Sequence, residues 1–257
     1  MSKKKFGNFL KATAVTALII ALWALLSKLG IFSSYIFPSP LKVWNTFIAM
    51  LKSGELLINL GSSVLRVVTG FGISFILALL LGIVASIFPS ANPYYRHIME
   101  FLRNIPPMSL IPLLILWMGI GEAPKIVIIV LTAFFPIFMN TEQGIKNCDK
   151  KLLEVGKMLD MSKGEVFFKI RIPAAVPDIL TGMQIGLGYS WRAIVGAEMI
   201  AAASGLGYMI LDAQAMSRTD KTLVGIIMIG ILGYVTDKLF TFAVKSVNRR
   251  MGREEKK

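Results

Sequence analysis

The sequence is poor in the residues that build disulfides, metal sites and active sites. It contains one cysteine, Cys148, and one histidine, His97, which together make neither an internal disulfide nor a Cys/His zinc cluster. It has no G-x-x-x-x-G-K-[ST] phosphate loop, so we do not expect it to bind ATP in that way. With one histidine and no carboxylate pair at a usable spacing, an integral membrane enzyme is a poor interpretation. We predict no metal, no cofactor and no catalytic residue.

Acidic residues are also scarce relative to basic ones. The 257 residues include 15 Asp and Glu against 28 Lys and Arg, a formal net charge of +13. In a soluble protein this charge would suggest nucleic acid as a partner. Here 55% of the residues are apolar and the mean hydropathy is +0.67. The basic residues cluster between and beyond the apolar segments, which predicts a polytopic membrane protein in contact with the lipid bilayer and not with nucleic acid.

Apolar stretches recur along the chain at about the length that crosses a bilayer. They predict an all-α transmembrane helical bundle of about six spans. The spans cover approximately residues 12–26, 63–88, 109–120, 125–143, 179–203 and 222–244. The third span is shortened or bent by Pro106, Pro107 and Pro112, and its helix could begin as early as Tyr94.

The distribution of basic residues predicts how the bundle is oriented. The N-terminus, the loop with Arg96 and Arg103, the central loop and the C-terminal tail together contain 19 Lys and Arg, whereas the alternate loops contain six. Cytoplasmic loops are enriched in Lys and Arg. Both termini and the central loop are therefore predicted to be cytoplasmic.

The second predicted span carries a small residue at every fourth position. These residues are Gly70, Ser74, Ala78, Gly82 and Ser86. They predict close packing against another helix, because small side chains let two backbones approach. Near the outer end of this span, Arg66 is interpreted as snorkelling to the membrane interface. An amphipathic segment over residues 43–51 is suited to lying at the outer surface.

The central loop, residues 148–173, contains two short amphipathic helical patterns on either side of a Ser-Lys-Gly break that begins at Ser162. The first pattern places Leu152, Leu153, Gly156 and Leu159 on one face, with Lys151, Glu154 and Lys157 nearer the other. The second runs through Val166, Phe167 and Ile170. It is predicted to end at Pro173, which cannot continue a helix. A charged pair of helices is too long and too regular for a simple connector, so we predict a docking surface.

The fifth predicted span contains two ionisable residues, Arg192 and Glu198, and such residues within a membrane indicate function. Two interpretations of Arg192 stay open: a buried pair with a carboxylate or helix carbonyls, or a place on a transport path where it favours an anion. Trp191 shares a helix face with Glu198, seven residues away, and Gln184 could also line a path. These four residues are the candidates for a translocation path.

Several separate patches of the sequence resemble one family, the permease subunits of ABC importers. Glu154-Val155-Gly156, Ser162 and the ending Ile170-Arg171-Ile172-Pro173 are similar to that family's cytoplasmic coupling loop. Other patches resemble the branch that serves nitrate, aliphatic sulfonates and taurine. They are Arg103 to Pro107, Trp117 to Glu122, Trp191, Ala197 to Met199, and Gly205 to Tyr208. The resemblance covers about residues 62–233. Three positions depart from the pattern: Val155 and Gly156 stand where it has two alanines, and Asp160 stands where it has glycine.

The resemblance implies a type I ABC importer architecture and a division of labour among subunits. The chain is expected to be one permease domain over residues 1–257, with its core at about 60–246. It would work with two cytoplasmic ATPase subunits, a second copy of itself and an external solute-binding protein, in a bacterial or archaeal cytoplasmic membrane. The residues expected to couple it to the ATPase are Glu154, Gly156, Leu159, Ser162, Phe167 and Pro173. Glu154 would be the polar anchor, and the cargo would be small and anionic.

An ion-coupled secondary carrier is the alternative, with Arg192 and Glu198 as a coupling pair. A secondary carrier needs no partner ATPase, so the amphipathic central loop would have no purpose in it. Neighbouring genes for an ATPase and a solute-binding protein would decide between the two.

Overall fold

The computed structural model describes residues 3–30 and 33–250 of the chain, and all regular structure in these residues is helical. The helices are α1 (Lys3–Lys28), α2 (Pro40–Lys52), α3 (Glu55–Ile87), α4 (Asn92–Arg103), α5 (Ile111–Met118), α6 (Glu122–Lys146), α7 (Lys150–Met158), α8 (Lys163–Val166), α9 (Ile172–Ala201), α10 (Leu206–Ala215) and α11 (Thr219–Arg250). Short 3₁₀ segments lie at Pro89–Ala91 and Pro107–Leu110, and a π-helical segment lies at Phe167–Arg171. The predicted all-α fold is confirmed.

Three helices of the described chain, α3, α6 and α11, are long and apolar enough to cross a membrane. Two further candidates are bent pairs: Pro89–Arg103 with Pro107–Met118 at 84°, and Lys163–Ala201 with Leu206–Ala215 at 48°. Counting each pair as one span gives up to five, and α1 contributes a shorter apolar stretch, Thr13–Lys28. The bend expected in the third span is present. The total of six spans stays a prediction.

Helices α3, α6 and α9 form the centre of the bundle, and small residues set their spacing. A Cβ at Gly70 of α3 would lie 2.7 Å from the side chain of Ile129, and one at Gly82 would lie 2.9 Å from Thr141. Ser74 and Ala78, between these glycines, have no exposed surface. The small-residue stripe therefore packs against α6, as its spacing predicts.

The contact between α6 and α9 is closer still because glycines of α9 meet backbone atoms of α6. A Cβ at Gly182 would lie 2.8 Å from the carbonyl oxygen of Pro136, and one at Gly186 would lie 3.1 Å from that of Ala133. Pro136 is inside α6, so it cannot donate a backbone hydrogen bond there. These two helices can approach this closely only where α9 has no side chain.

Helix α2 packs on the bundle at the same end as the N-terminus of α11. Ser39 caps the helix by accepting a hydrogen bond from the backbone N–H of Lys42 at 3.3 Å, and Val43 and Met50 are buried in a cluster with Leu206. One face of the amphipathic segment is thus covered by protein. The opposite face, with Trp44, remains exposed.

The prediction that the second loop helix ends at Pro173 is wrong. Helical structure runs without a break from Lys163 to Ala201 through the π-helical segment. There the N–H of Ile172 donates to the carbonyl of Phe167, five residues earlier. The wider turn relieves the clash between a proline ring and the carbonyl four residues before it. The loop therefore continues into α9 as one helix.

We expect Gly182→Ala to destabilise the bundle by about 1–2 kcal/mol, because the new methyl group meets the Pro136 carbonyl. Gly188→Ala on the same helix is the matched control, since its Cβ would meet no atom within 4 Å and alanine favours a helix over glycine. Thermal unfolding of the purified variants in detergent measures both. Equal stability of the two variants would contradict this account of the α6–α9 contact.

Candidate functional sites at the two ends of α9

Helix α7 begins and ends with well-formed caps. Asp149 caps its start, accepting a hydrogen bond from the backbone N–H of Lys151 at 2.9 Å. At its end, Asp160 adopts the left-handed conformation with φ 47°. The N–H groups of Asp160 and Met161 donate to the carbonyls of Lys157 and Gly156 at 3.1 and 3.0 Å. This is the Schellman arrangement, which glycine adopts with the least strain. Asp160 therefore occupies a position that favours glycine.

Ser162 caps the helix that follows. Its Oγ accepts from the N–H of Glu165 at 3.3 Å, and the Glu165 carboxylate accepts from the N–H of Ser162 at 3.1 Å. This reciprocal pair is a capping box. Lys169 also donates to Glu165 at 2.8 Å. Ser162 was predicted as a coupling residue, and the structure gives it the local task of starting α8.

Gly156 and Phe167 hold the loop against itself and against the bundle. A Cβ at Gly156 would lie 2.8 Å from Cδ1 of Ile170, so α7 packs closely on the π-helical segment. Phe167 packs against a buried cluster formed by Ile145, Ala175 and Ile179. The loop is therefore fixed to the ends of α6 and α9.

The predicted apolar face of α7 is only partly right. Gly156 is buried and Leu153 is half-buried, but Leu152 and Leu159 are exposed. Because α7 contacts Ile170 through Gly156, Leu152 and Leu159 lie away from this contact. The exposed apolar residues form a different face. They are Leu152, Val155, Met158 and Leu159, with Met158 84% and Leu159 67% exposed. We call these four residues the docking face.

Glu154 lies beside the docking face, on the side of α7 that carries Lys150 and Lys157. It is exposed, and with these two lysines it lines a groove of about 870 Å³ that reaches Ser86 at the end of α3. A carboxylate at this place is accessible to a basic group of another protein.

At the opposite end of α9, Glu198 is fully buried and Arg66 is 6% exposed. Arg66 Nη1 lies 2.7 Å from Glu198 Oε1. Ser63 donates to both carboxylate oxygens at 2.8 and 2.9 Å. The interpretation of Arg66 as a snorkelling side chain is wrong. Inside the protein its guanidinium donates to the carboxylate of Glu198 and to the carbonyl of Ser204, each at 2.7 Å.

Glu122 and Lys125, at the start of α6, complete this group of charges. Arg66 donates to both oxygens of Glu122, at 2.5 and 2.9 Å, and Lys125 donates to Glu122 at 2.8 Å. Two cations and two carboxylates thus meet where α6 begins and α9 ends, beside Arg66 in the N-terminal half of α3. We call Arg66, Glu122, Lys125 and Glu198 the charge cluster.

The turn between α9 and α10 and the first residues of α10 contact this cluster through glycine. The N–H of Gly207 donates to Glu198 Oε2 at 2.9 Å, and the N–H of Gly205 donates to Asn59 at 2.9 Å. A Cβ at Gly205, where φ is 120°, would lie 2.3 Å from the Glu198 carboxyl carbon. The Gly205 to Tyr208 patch therefore has a physical explanation: its backbone must touch the buried carboxylate.

The four predicted path residues separate into two pairs. Trp191 is 5% exposed and Glu198 has no exposed surface, as expected of residues that share a face, but this face points into the bundle. Arg192 is exposed beside the ring of Tyr189, 5.8 Å from its centroid. The interpretation of Arg192 as a buried pair is therefore wrong. Gln184 is half-buried and donates to Asp237 of α11 at 2.6 Å.

A cavity of about 400 Å³ lies beside this exposed face of α9. It is bordered by α6, by α9 and by the bend between α4 and α5, at Arg103 to Pro107. Its polar lining residues are Arg103, Thr132, Asn140 and Tyr189. The exposed face and this cavity together give one side of the bundle a polar surface.

Sequence reasoning missed Arg66, Glu122 and Lys125 as partners of Glu198. The available signal was that apolar segments carry opposite charges near the same predicted end: Arg66 in the second span, and Glu122 and Lys125 at the start of the fourth. Matching these charges across spans would have indicated the cluster.

We expect Glu198→Gln to destabilise the protein by about 3 kcal/mol, because it removes one carboxylate from a buried pair and leaves Arg66 undercompensated. Glu100→Gln is the control, since Glu100 pairs with Arg96 on an exposed surface and such pairs contribute about 0–1 kcal/mol. Denaturant unfolding in detergent gives both values. A loss for Glu198→Gln no larger than for the control would show that the cluster does not hold the helix ends.

The family model for binding-protein-dependent transport system inner membrane components matches residues 74–253. An aliphatic sulfonates transport permease of Bacillus subtilis is 38% identical over 235 residues, covering 91% of this chain and 85% of the relative. The taurine transport system permease of Escherichia coli is 30% identical, covering 91% of this chain and 86% of that one.

Solved structures share the fold at low sequence identity. An inward-facing structure of the MetNI methionine ABC transporter aligns with a TM-score of 0.65 and 17% identity, covering 74% of this chain and 94% of that one. A chain of an amino acid ABC transporter aligns with a TM-score of 0.63 and 15% identity, covering 79% and 98%. In this family ATP hydrolysis lies in a separate subunit. The chain belongs to the family of binding-protein-dependent transport system inner membrane components, the permease subunits of ABC importers.

Proposed function

We propose that this permease forms half of a translocation path for a small anionic solute of the sulfonate class and that the docking face of α7 couples it to the ATPase. Relatives named for aliphatic sulfonate and taurine transport support the cargo class. The observation that carries the coupling is the exposed apolar surface at Leu152, Val155, Met158 and Leu159. It lies on a charged loop.

An apolar surface on a loop that meets water is costly unless another protein covers it. In this family the available partner is the ATPase subunit. Met158 and Leu159 would enter a groove on that subunit, and Glu154 would pair with a basic residue at its rim. Gly156, Ser162, Phe167 and Pro173 act indirectly in this proposal, because they shape the loop and join it to α9.

The continuous helix from Lys163 to Ala201 supports a lever mechanism. A displacement of the loop by the ATPase would be carried along this helix without a flexible joint, since each turn is hydrogen-bonded to the next. Arg192 and Gln184, on or beside the exposed face of α9, would then move with the loop. A second copy of the chain would supply the other half of the path, with two ATPase subunits and an external binding protein.

The same proposal places the loop and both termini in the cytoplasm. The excess of basic residues in the loop and the tail supports this orientation. The charge cluster would then lie at the extracytoplasmic side, where the binding protein delivers the solute. The membrane would be the cytoplasmic membrane of a bacterium or an archaeon, because the matched relatives come from such organisms.

The secondary-carrier alternative fails on family membership and on geometry. Glu198 is bound to Arg66 and buried, whereas Arg192 is exposed beside Tyr189. These two residues do not form the coupling pair that a carrier would need.

We expect Met158→Glu to abolish co-purification of the ATPase subunits and ATP-driven uptake, because it places a charge in the centre of the docking face. Glu154→Lys should weaken the association, because it puts a like charge opposite a basic partner. Met216→Glu is the matched control: Met216 is 64% exposed but lies after α10, at the other end of the bundle. Affinity purification in detergent measures the complex. If Met158→Glu retains its ATPase and its uptake, the docking face is not the coupling surface.

A further inference from the structure

Helix α11 carries a carboxylate at membrane depth that the sequence reasoning did not single out. Asp237 is exposed on the surface of the chain. It lies seven residues, or about 10 Å, inside the predicted end of the apolar run at residue 244. An acidic side chain at such depth faces a water-filled cavity or protein rather than lipid. The residues around Asp237 therefore indicate whether this side of the bundle faces water, protein or lipid.

Asp237 adjoins the polar face of α9. Gln184 Nε2 donates to Asp237 Oδ1 at 2.6 Å and lies 3.2 Å from the hydroxyl of Thr241. The amide orients the carboxylate but carries no charge, so it does not neutralise it. Gln184, Gly188 and Arg192 follow one another at intervals of four residues and form one row along α9.

The row on α9 borders open space. A Cβ at Gly188 would meet no atom within 4 Å, and the same holds for Gly230 and Gly233 of α11. The hydrogen bond between Gln184 and Asp237 sets the register of these two antiparallel helices. It places Gly233 one turn outward from Asp237, on the side of Gly188. Because these positions have no side chains, the space beside the two helices between Asp237 and Arg192 is open in this chain.

This open face has the guanidinium of Arg192 toward one end and the carboxylate of Asp237 toward the other, and the neighbouring Lys238 ammonium lies over the ring of Tyr234. Arg192 lies eight residues from Gln184 along α9, or about 12 Å. A solute that moves inward along this face passes a guanidinium group first and a carboxylate afterwards. A simple anion is attracted by the first and repelled by the second, whereas a molecule with both charges is attracted by each in turn.

We propose that Asp237, positioned by Gln184, lines the translocation path and selects for a solute that bears a cationic group as well as an anionic one. This inference rests on the proposed function, because it assumes that the exposed face of α9 borders the path. The chemical class is an aminosulfonate, in which an ammonium and a sulfonate are joined by a short aliphatic linker. An alkanesulfonate of the same length lacks the ammonium and is the natural comparison.

The test uses the permease with its ATPase subunits and binding protein, reconstituted in liposomes with ATP. Initial uptake of taurine is compared with that of propane-1-sulfonate, in which a methyl group replaces the ammonium. All variants use the same binding protein, so its own preference cancels when their uptake ratios are compared. Asp237→Asn is expected to lower the taurine to propanesulfonate ratio about tenfold, equivalent to about 1.4 kcal/mol. Arg192→Gln is expected to lower uptake of both solutes.

Lys238→Met is the matched control on α11, because the Lys238 ammonium lies over the ring of Tyr234, 5.2 Å from its centroid. It should leave the uptake ratio unchanged. An unchanged ratio in Asp237→Asn, with ATP-driven uptake intact, would overturn the role of Asp237 and leave the importer proposal standing. Failure of the wild-type complex to import either sulfonate would overturn the proposed cargo class, and this inference with it.

A second measurement tests whether Asp237 faces water. In a Cys148→Ser background, Asp237→Cys should react rapidly with a charged, water-soluble thiol reagent. Phe242→Cys, at a position 73% exposed on another side of α11, should react slowly if it faces lipid. Equal and slow reaction at both positions would overturn the proposal.

Discussion

The close approach of α6 and α9 is the contact on which the rest of the structure depends. Gly182 and Gly186 bring the backbone of α9 against the carbonyls of Pro136 and Ala133, so the two helices move as one packed unit. The same α9 is continuous with the loop at one end and carries Glu198 at the other. Its position therefore fixes both sites.

The charge cluster gives this unit a second point of attachment. Arg66 of α3 and Glu122 of α6 meet Glu198 of α9 through hydrogen bonds of 2.5–2.9 Å. Buried charges are costly when unpaired, so α3, α6 and α9 cannot separate at this place without breaking the pairs. Arg192, by contrast, is exposed on the same helix. One helix thus has a structural side and a polar side.

Features with local causes were predictable from the sequence, and features that depend on distant contacts were not. The stripe from Gly70 to Ser86 predicted close packing because its spacing alone defines a helix face. The Arg66–Glu198 pair was missed because 132 residues separate its partners. The prediction that the second loop helix ends at Pro173 was wrong because a π-helical turn before the proline lets the helix continue. The docking face was misassigned because Gly156 serves as the contact with Ile170.

The central claim is that the helix from Lys163 to Ala201 transmits movement of the loop as a rigid lever. Spin labels at Lys163 and Ile200, both exposed, would be about 56 Å apart along a straight helix. Pulsed electron paramagnetic resonance can measure this distance in importers that contain one labelled copy. The account predicts the same distance with and without bound ATP. A shift of several ångströms, or a second population on ATP binding, would show that the helix bends at the π-helical segment and would contradict the lever.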